Sequence, residues 1–225
     1  MLGPQASSPA RTQLRLVLVI NAGEDVCGPS KKMFFLKEPS DFTINKFIAA
    51  QSDRLFTYSG VGATNGTPPE GFIVDHNRIQ LGRGRQVYQR ALSALQRWAQ
   101  FDLGWVSIVP KGVPIEIGAT VAVKARAFGT WVLNATRIVY VVNERNAVER
   151  FGFAYGTLLD HVECGEERFT VEFHPVDESV WYDILAFSKP QHLLVKVSLP
   201  LARMLQKRFA RDSMEHMRDL VSPAE

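Results

Sequence analysis

The 225-residue chain has two cysteines, Cys27 and Cys164. That is too few for a disulfide framework or a four-cysteine zinc site, so a reducing compartment, the cytoplasm, is the expectation. It has little net charge: 26 Lys and Arg against 23 Asp and Glu leave +3, which argues against a nucleic-acid partner. No run approaches the roughly 18 apolar residues of a membrane-crossing helix. No period of about 20 to 50 residues repeats, which excludes a solenoid. Composition does not depart from globular usage: hydrophobic residues are 46% and charged residues 22%, so general disorder and fibrous repeats are excluded. A chain of this length buries about 70% of its unfolded surface and needs no staples.

What is present is an uneven distribution of charge. Residues 78 to 100 hold Arg78, Arg83, Arg85, Arg90 and Arg97 and no acid; residues 144 to 178 hold nine acids against three bases. From Lys189 onward seven bases face four acids. Either the acidic middle meets the basic helices across the fold, or each is a separately solvated face.

Residues 1–31 read as an arm, bounded by Gly3, Pro4 and Pro9 at one end and Gly28-Pro29-Ser30 at the other. The apolar run at 14–20 is too short and too poorly flanked for a secretory signal. Arg11 and Arg15 with no acid before Glu24 leave an organellar transit reading open; an extra edge strand or an extension is preferred. Residues 32–222 then form one domain. A short strand falls at 32–37, a helix starts with Ser40 or Asp41 as N-cap, and a Gly- and Pro-rich loop precedes a strand at 72–81. In the amphipathic helix at 85–99, Val87, Ala91, Ala94, Leu95 and Trp98 share a face. Six strands follow, at 105–109, 120–128, 131–143, 151–159, 168–174 and 180–187. Glu163-Cys164-Gly165 is the expected turn between the strand of Phe151, Phe153 and Tyr155 and that of Phe169, Val171 and Phe173. Odd positions would then pair with odd. Ser188-Lys189-Pro190 reads as the start of a helix reaching Leu220, about 45 Å long, with Pro200 kinking or splitting it.

The fold class is therefore α+β: a curved antiparallel sheet of about 6–7 strands wrapped around a long C-terminal helix, the helix-grip arrangement. One apolar sheet face must be covered, and the terminal helix, with Leu201, Leu205 and Phe209 at helical spacing, is the cover. A cavity between the two is the usual consequence.

Six strings in order strengthen this reading: Asp75-His76-Asn77-Arg78 with Leu81-Gly82-Arg83-Gly84; Phe101-Asp102-Leu103-Gly104-Trp105; the run from Arg150 to Leu158; the run from Gly165 to Phe169; the run from Val180 to Pro190; and the run from Gln206 to Ser213. Together they resemble the uncharacterised domain-of-unknown-function family numbered nineteen-ninety, over about residues 33–220. The resemblance implies a START-like fold, similar to polyketide cyclases and lipid-transfer proteins, and brings no established catalytic residues. It also implies, as an alternative, a cation pore of an organelle outer envelope such as the chloroplast's, since plant relatives are linked to one.

Candidate chemistry is sparse. In a strand, Glu166 and Glu167 face opposite ways, so at most one joins any site with His161; salt bridging to Arg168 or to the basic terminal helix is the plainer role. Asp75 and His76 likewise diverge, and His76 reads as a satisfied edge histidine. Gly82-Arg83-Gly84-Arg85 before a helix makes Arg83 and Arg85 anion-binding candidates. Cys164 and Ser188 lack a nucleophile's context. Arg208, Arg211 and Asp212 are expected to pair with the acidic hairpin. The Tyr182 hydroxyl needs a partner, from a ligand or from the core. No catalytic residue, metal or cofactor is expected.

The expectation is non-catalytic binding of an apolar or amphipathic small molecule in a cavity lined by Phe153, Tyr155, Phe169, Val171, Tyr182, Ile184, Leu201 and Leu205. The alternatives are a small cyclase- or hydrolase-like enzyme using that cavity, and the envelope pore. Ligand identity and oligomeric state stay open.

Overall fold

Alternation along the strands sets the architecture, because successive side chains point to opposite faces. The computed structural model describes residues 33–159, 161–190 and 199–222. The expected arm, with the apolar run at 14–20 and Cys27, lies outside the described residues. Among the described residues eleven strands and α-helices follow in order: β1 (Phe34–Phe35), α1 (Asp41–Ala49), β2 (Ile73–Arg83), α2 (Arg85–Gln96), β3 (Val106–Val109), β4 (Thr120–Ala127), β5 (Thr130–Arg145), β6 (Glu149–Thr157), β7 (Glu163–Phe173), β8 (Ser179–Pro190) and α3 (Leu199–Val221).

The strands form one antiparallel sheet in the order β2-β8-β7-β6-β5-β4-β3, with β1 added to β5. Register breaks at Gln80/Gly82 and Ile138/Tyr140 bend the strands, as bulges do. The inner face receives α2 and α3. There Leu81, Val106, Ile108, Val121, Ile138, Phe153, Phe169, Val171 and Tyr182 meet Ala91, Leu95, Trp98 and Met217 in one buried cluster. The outer face receives α1, whose Ile44 and Phe47 pack on Ala122, Leu133, Ala135 and Leu158. Ser40 is the N-cap of α1, its hydroxyl accepting from the Thr43 N–H at 3.3 Å. This is the α+β helix grip.

Three local expectations need correction. First, Glu163, Cys164 and Gly165 are not a turn but the first residues of β7. The odd-with-odd pairing survives, with Phe153 opposite Phe169. Gly165 is needed for a different reason: a Cβ there would lie 1.9 Å from the Phe187 carbonyl oxygen, so β8 closes on β7 only over a glycine.

Second, Ser188 and Pro190 continue β8, opposite Gly165 and Glu163, and Ser188 caps no helix. A strand's end tolerates proline because no further ladder bond is required. The described part of the terminal helix, α3, runs from Leu199 and holds Pro200 near its described start; the expected helical stretch at 191–198, and with it the kink or split at Pro200, lies outside the described residues. The 23 described residues run about 34 Å.

Third, α2 stops at Gln96. Trp98 leaves the helix in the left-handed region at φ 62°, yet stays buried and donates from its indole N–H to the Val113 carbonyl at 2.8 Å.

Candidate functional site

Each central strand carries two kinds of inward residue. On β7 they run Glu163, Gly165, Glu167 and then Phe169, Val171, Phe173. On β8 they run Ser188, Ala186, Ile184 and then Tyr182, Val180. The bulky ends converge under α2, where Trp98 and Phe153 ring centroids stand 4.6 Å apart, Phe101 and Phe169 5.4 Å, and Tyr88 and Phe173 5.6 Å. The small and acidic ends lie under the first half of α3. There the sheet and the helix enclose a cavity of about 660 Å³.

Of the eight expected lining residues, Tyr155, Ile184, Leu201 and Leu205 border this cavity. Phe153, Phe169, Val171 and Tyr182 are fully buried in the packed cluster beside it. The Tyr182 hydroxyl is 3.0 Å from the Ser213 hydroxyl of α3, so its partner belongs to the core. Periodicity identifies the inward face but does not show where along the strand that face stops being filled. Phe101 and Phe209, with centroids 5.1 Å apart, form the partition, and both also border the cavity.

The cavity has two unlike walls. Toward β3, β4 and β5 it is apolar, with Val106, Val123, Ala125, Ala127 and Val132. Val123, Ala125 and Ala127 are the small apolar positions of β4, whose Lys124 and Arg126 point the other way. Toward β2, β7, β8 and α3 it carries Asp75, Glu163, Glu167, Ser188 and Gln206.

A defined hydrogen-bond chain holds this polar wall. Arg203 grips Asp75 with both guanidinium nitrogens, one at 2.7 Å, and donates to the Gln206 Oε1 at 2.8 Å. With its oxygen so fixed, the Gln206 amide nitrogen donates to Glu163 Oε2 at 2.6 Å and to the Ser188 hydroxyl at 3.1 Å. The Tyr155 hydroxyl donates to Glu167 Oε2 at 2.7 Å.

Burial pushes the Glu163 carboxyl up to about 7, against the Gln206 hydrogen bond and the Arg203 charge. Burial likewise pushes Glu167 up to about 7, against the Tyr155 hydrogen bond, with the neighbouring Glu163 and Asp75 adding to the rise. Burial drives His161, also on the lining, down to about 4, so it is neutral near pH 7. The ring Nδ1 of His161 lies 3.0 Å from the Glu163 backbone N–H, which donates to it.

Glu166 and Glu167 do face opposite ways. Neither takes the salt bridge to Arg168 that the sequence suggested. On the outer face, the Glu166 carboxylate is buried beneath the loop before β2. It accepts from the Tyr58 hydroxyl and the Gly62 N–H, both at 2.7 Å, from the Thr64 N–H at 2.9 Å, and from the Thr64 hydroxyl. It pins that loop to the sheet. No local signal announces this, because the partners are about 100 residues away.

His76 is an edge histidine satisfied by Asp183, with Nε2 and Oδ2 2.5 Å apart; Arg168 reaches the other Asp183 oxygen at 3.0 Å. Arg208 and Arg211 pair with Asp212 of their own helix rather than with the acidic hairpin. Asp212 also accepts from the Trp105 indole at 3.0 Å. One expected contact between acidic middle and basic helix is made: Arg85 grips Glu149 at 2.6 and 2.8 Å and stacks over Phe173. Its donor fork is therefore engaged by a carboxylate at the start of α2. Arg83 beside it donates to the Asp177 carbonyl at 3.2 Å. Cys164 is buried on the outer face, its thiol donating to the Thr57 carbonyl at 2.8 Å.

Residues 57–216 match the family described as domain of unknown function (DUF1990), and the chain belongs to that family. A UPF0548 protein of Dictyostelium discoideum is 36% identical over 203 residues, covering 82% of this chain and 94% of that one. Among solved structures, the chain is similar to Ara h 8.0201, at 12% identity and a TM-score of 0.41, covering 67% of this chain and 98% of that one. It is also similar to human STARD10, at 12% identity and a TM-score of 0.37, covering 80% and 81%. The architecture is a helix grip, read from this chain's own strand order and terminal helix. Among the described residues, no helix is long and apolar enough to cross a membrane.

Proposed function

We propose that the protein binds an apolar or amphipathic small molecule in the cavity between its sheet and the first half of α3, without transforming it. The observation that carries this reading is about 660 Å³ of space inside a domain whose other half is filled by interlocking aromatic rings. Protein interiors pack to crystal density, and ligand pockets are mostly apolar with a few placed polar groups. The space and its two walls meet that description. The mouth is accessible: Leu201 on its edge is 38% exposed and Phe128 at the β4–β5 turn 65%. Ara h 8.0201 and STARD10 share the general arrangement.

Gentle purification followed by native mass spectrometry and solvent extraction tests this. A small molecule that co-purifies with the parent, and not with Ala125→Leu, which narrows the cavity, supports it. Spectra of bare protein, together with no binding of medium-chain alkyl compounds by calorimetry, overturn it.

A second reading has one observation in its favour. Glu163 and Glu167 line the cavity and are both pushed toward neutral pH, as a general acid of a cyclase- or hydrolase-like enzyme requires. Turnover of any ligand recovered above would select it. For an envelope pore, strands must close on themselves; among the described residues the sheet path ends at β2 and β3, which do not pair.

A further inference from the structure

The acidic wall of the cavity is unusual in how little positive charge answers it. The groups that face it are Asp75 from β2, Tyr155 from β6, Glu163 and Glu167 from β7, His161 from the loop before β7, and Gln206 and Lys207 from α3. Tyr182 of β8 lies just behind, its hydroxyl engaged by Ser213. Asp75 is matched: the Arg203 fork is turned onto it. Glu163 and Glu167 are not. Among the described residues no Lys or Arg makes an ion pair with either. Each carboxyl accepts a single neutral donor on Oε2, and Oε1 of each receives no donor from the described residues. The two residues are four apart on one strand face, with Cα atoms about 13 Å apart, and Gly165 between them, also on the lining, leaves open space that both side chains border.

Placing two carboxyls in a largely apolar cavity is costly unless a cation or several donors meet them. The local precedent is Asp75, which is given a guanidinium. A bound anion would add like charge to the wall. A bound hydroxyl would supply one further neutral donor. A bound ammonium would supply up to three donors and a charge of the missing sign.

Resting on the small-molecule reading above, we infer that the ligand is an amphipathic amine. Its ammonium head lies over Gly165 on the wall that carries Glu163 and Glu167, and its apolar body lies along the wall of Val123, Ala125 and Val132.

The probes are octylamine, 1-octanol and octanoate, which share chain length and differ in head charge. Each is titrated calorimetrically into the full chain at about pH 8, where both carboxyls are ionised. The inference expects octylamine to bind at least tenfold more tightly than 1-octanol, with octanoate weakest. In Glu163→Gln, Glu167→Gln and the double variant, the amine's advantage shrinks to less than threefold while 1-octanol affinity is unchanged. That unchanged alcohol affinity shows that the variants keep their cavity. For the parent, the advantage narrows as pH falls from about 8 to about 5 and the carboxyls take up protons.

Equal binding of amine and alcohol, or an advantage that persists in the double variant, overturns the inference and leaves the cavity reading standing. Binding of none of the three by the parent overturns the cavity reading, and this inference with it.

Discussion

The two halves of the interior are built on the same strands and covered by the same terminal helix, yet one is solid and the other hollow. Under α2 the inward positions of β6, β7 and β8 are Phe153, Phe169, Val171 and Tyr182, all fully buried. Under the first half of α3, two to six residues further along the same strands, they are Glu167, Gly165, Ala186 and Ser188. The second half of α3 packs down through Met217 and Val221, whereas Leu201 near its start is partly exposed. A second helix and a set of rings fill one half; among the described residues one helix roofs the other, and the side chains beneath it are too small or too polar to reach it. Stability is thus concentrated in one half and ligand capacity in the other.

Substitutions can break that division of labour, and the largest effect falls in the solid half. Phe169→Ala removes a ring touching those of Phe101, Phe153, Tyr155 and Phe209. It should cost about 3–5 kcal/mol in urea unfolding. A loss below about 1 kcal/mol would show that this half is not tightly packed.

Next in size is a matched pair of enlargements. Ala91→Leu, at a fully buried position of α2, overpacks and should cost about 1–3 kcal/mol. Ala125→Leu points into the cavity and should cost less than about 1 kcal/mol, while weakening 1-octanol binding at least about tenfold, or about 1.4 kcal/mol. Equal stability losses for the two would erase the contrast.

The acidic wall sharpens the comparison through pH. Glu163 and Glu167 hold their protons to about 7 in the folded chain, against about 4.3 unfolded. The folded state therefore binds more protons between those values. The stability these groups contribute is complete below about pH 4.3 and is lost as pH rises through about 7. Double replacement by Gln should raise the melting temperature at about pH 8 by a few degrees, and should leave it unchanged near pH 4.5. His161, driven down to about 4, acts in the opposite sense, losing stability as pH falls below about 6.5. The comparison is therefore variant against parent at each pH. A variant no more stable than the parent at pH 8 would show that burial does not strain these carboxyls.

The smallest effect is at the helix anchor. Arg203→Ala, at a pair partly open to solvent on both sides, should cost about 1 kcal/mol or less, and less still in high salt.

Much of this was legible beforehand, for a local reason. The pairing of Phe153 with Phe169 and the opposed directions of Glu166 and Glu167 follow from strand alternation alone. The covering role of α3 follows from the spacing of Leu201, Leu205 and Phe209. What misled was punctuation. Gly165 looked like a turn residue and proved to be the point where two strands approach too closely for a Cβ. Pro190 looked like a helix start and proved to be a strand's end. In each case the chemistry was read correctly, and its cause lay in a neighbour distant in sequence. The same limit hid the engagement of Arg85 by Glu149 and the burial of Glu166 under Tyr58, Gly62 and Thr64.

Covalent geometry and side-chain period let the sequence alone determine the strand series, the inward and outward faces, the amphipathic helices and the family motifs. Only the tertiary structure decided that the inner face is filled for half its length and open for the rest. It alone gathered Asp75, Glu163, Glu167 and Gln206 onto one wall. A face is a property of one segment. An unfilled volume is the difference between the space several segments enclose and the side chains they place there, and no single segment carries that difference.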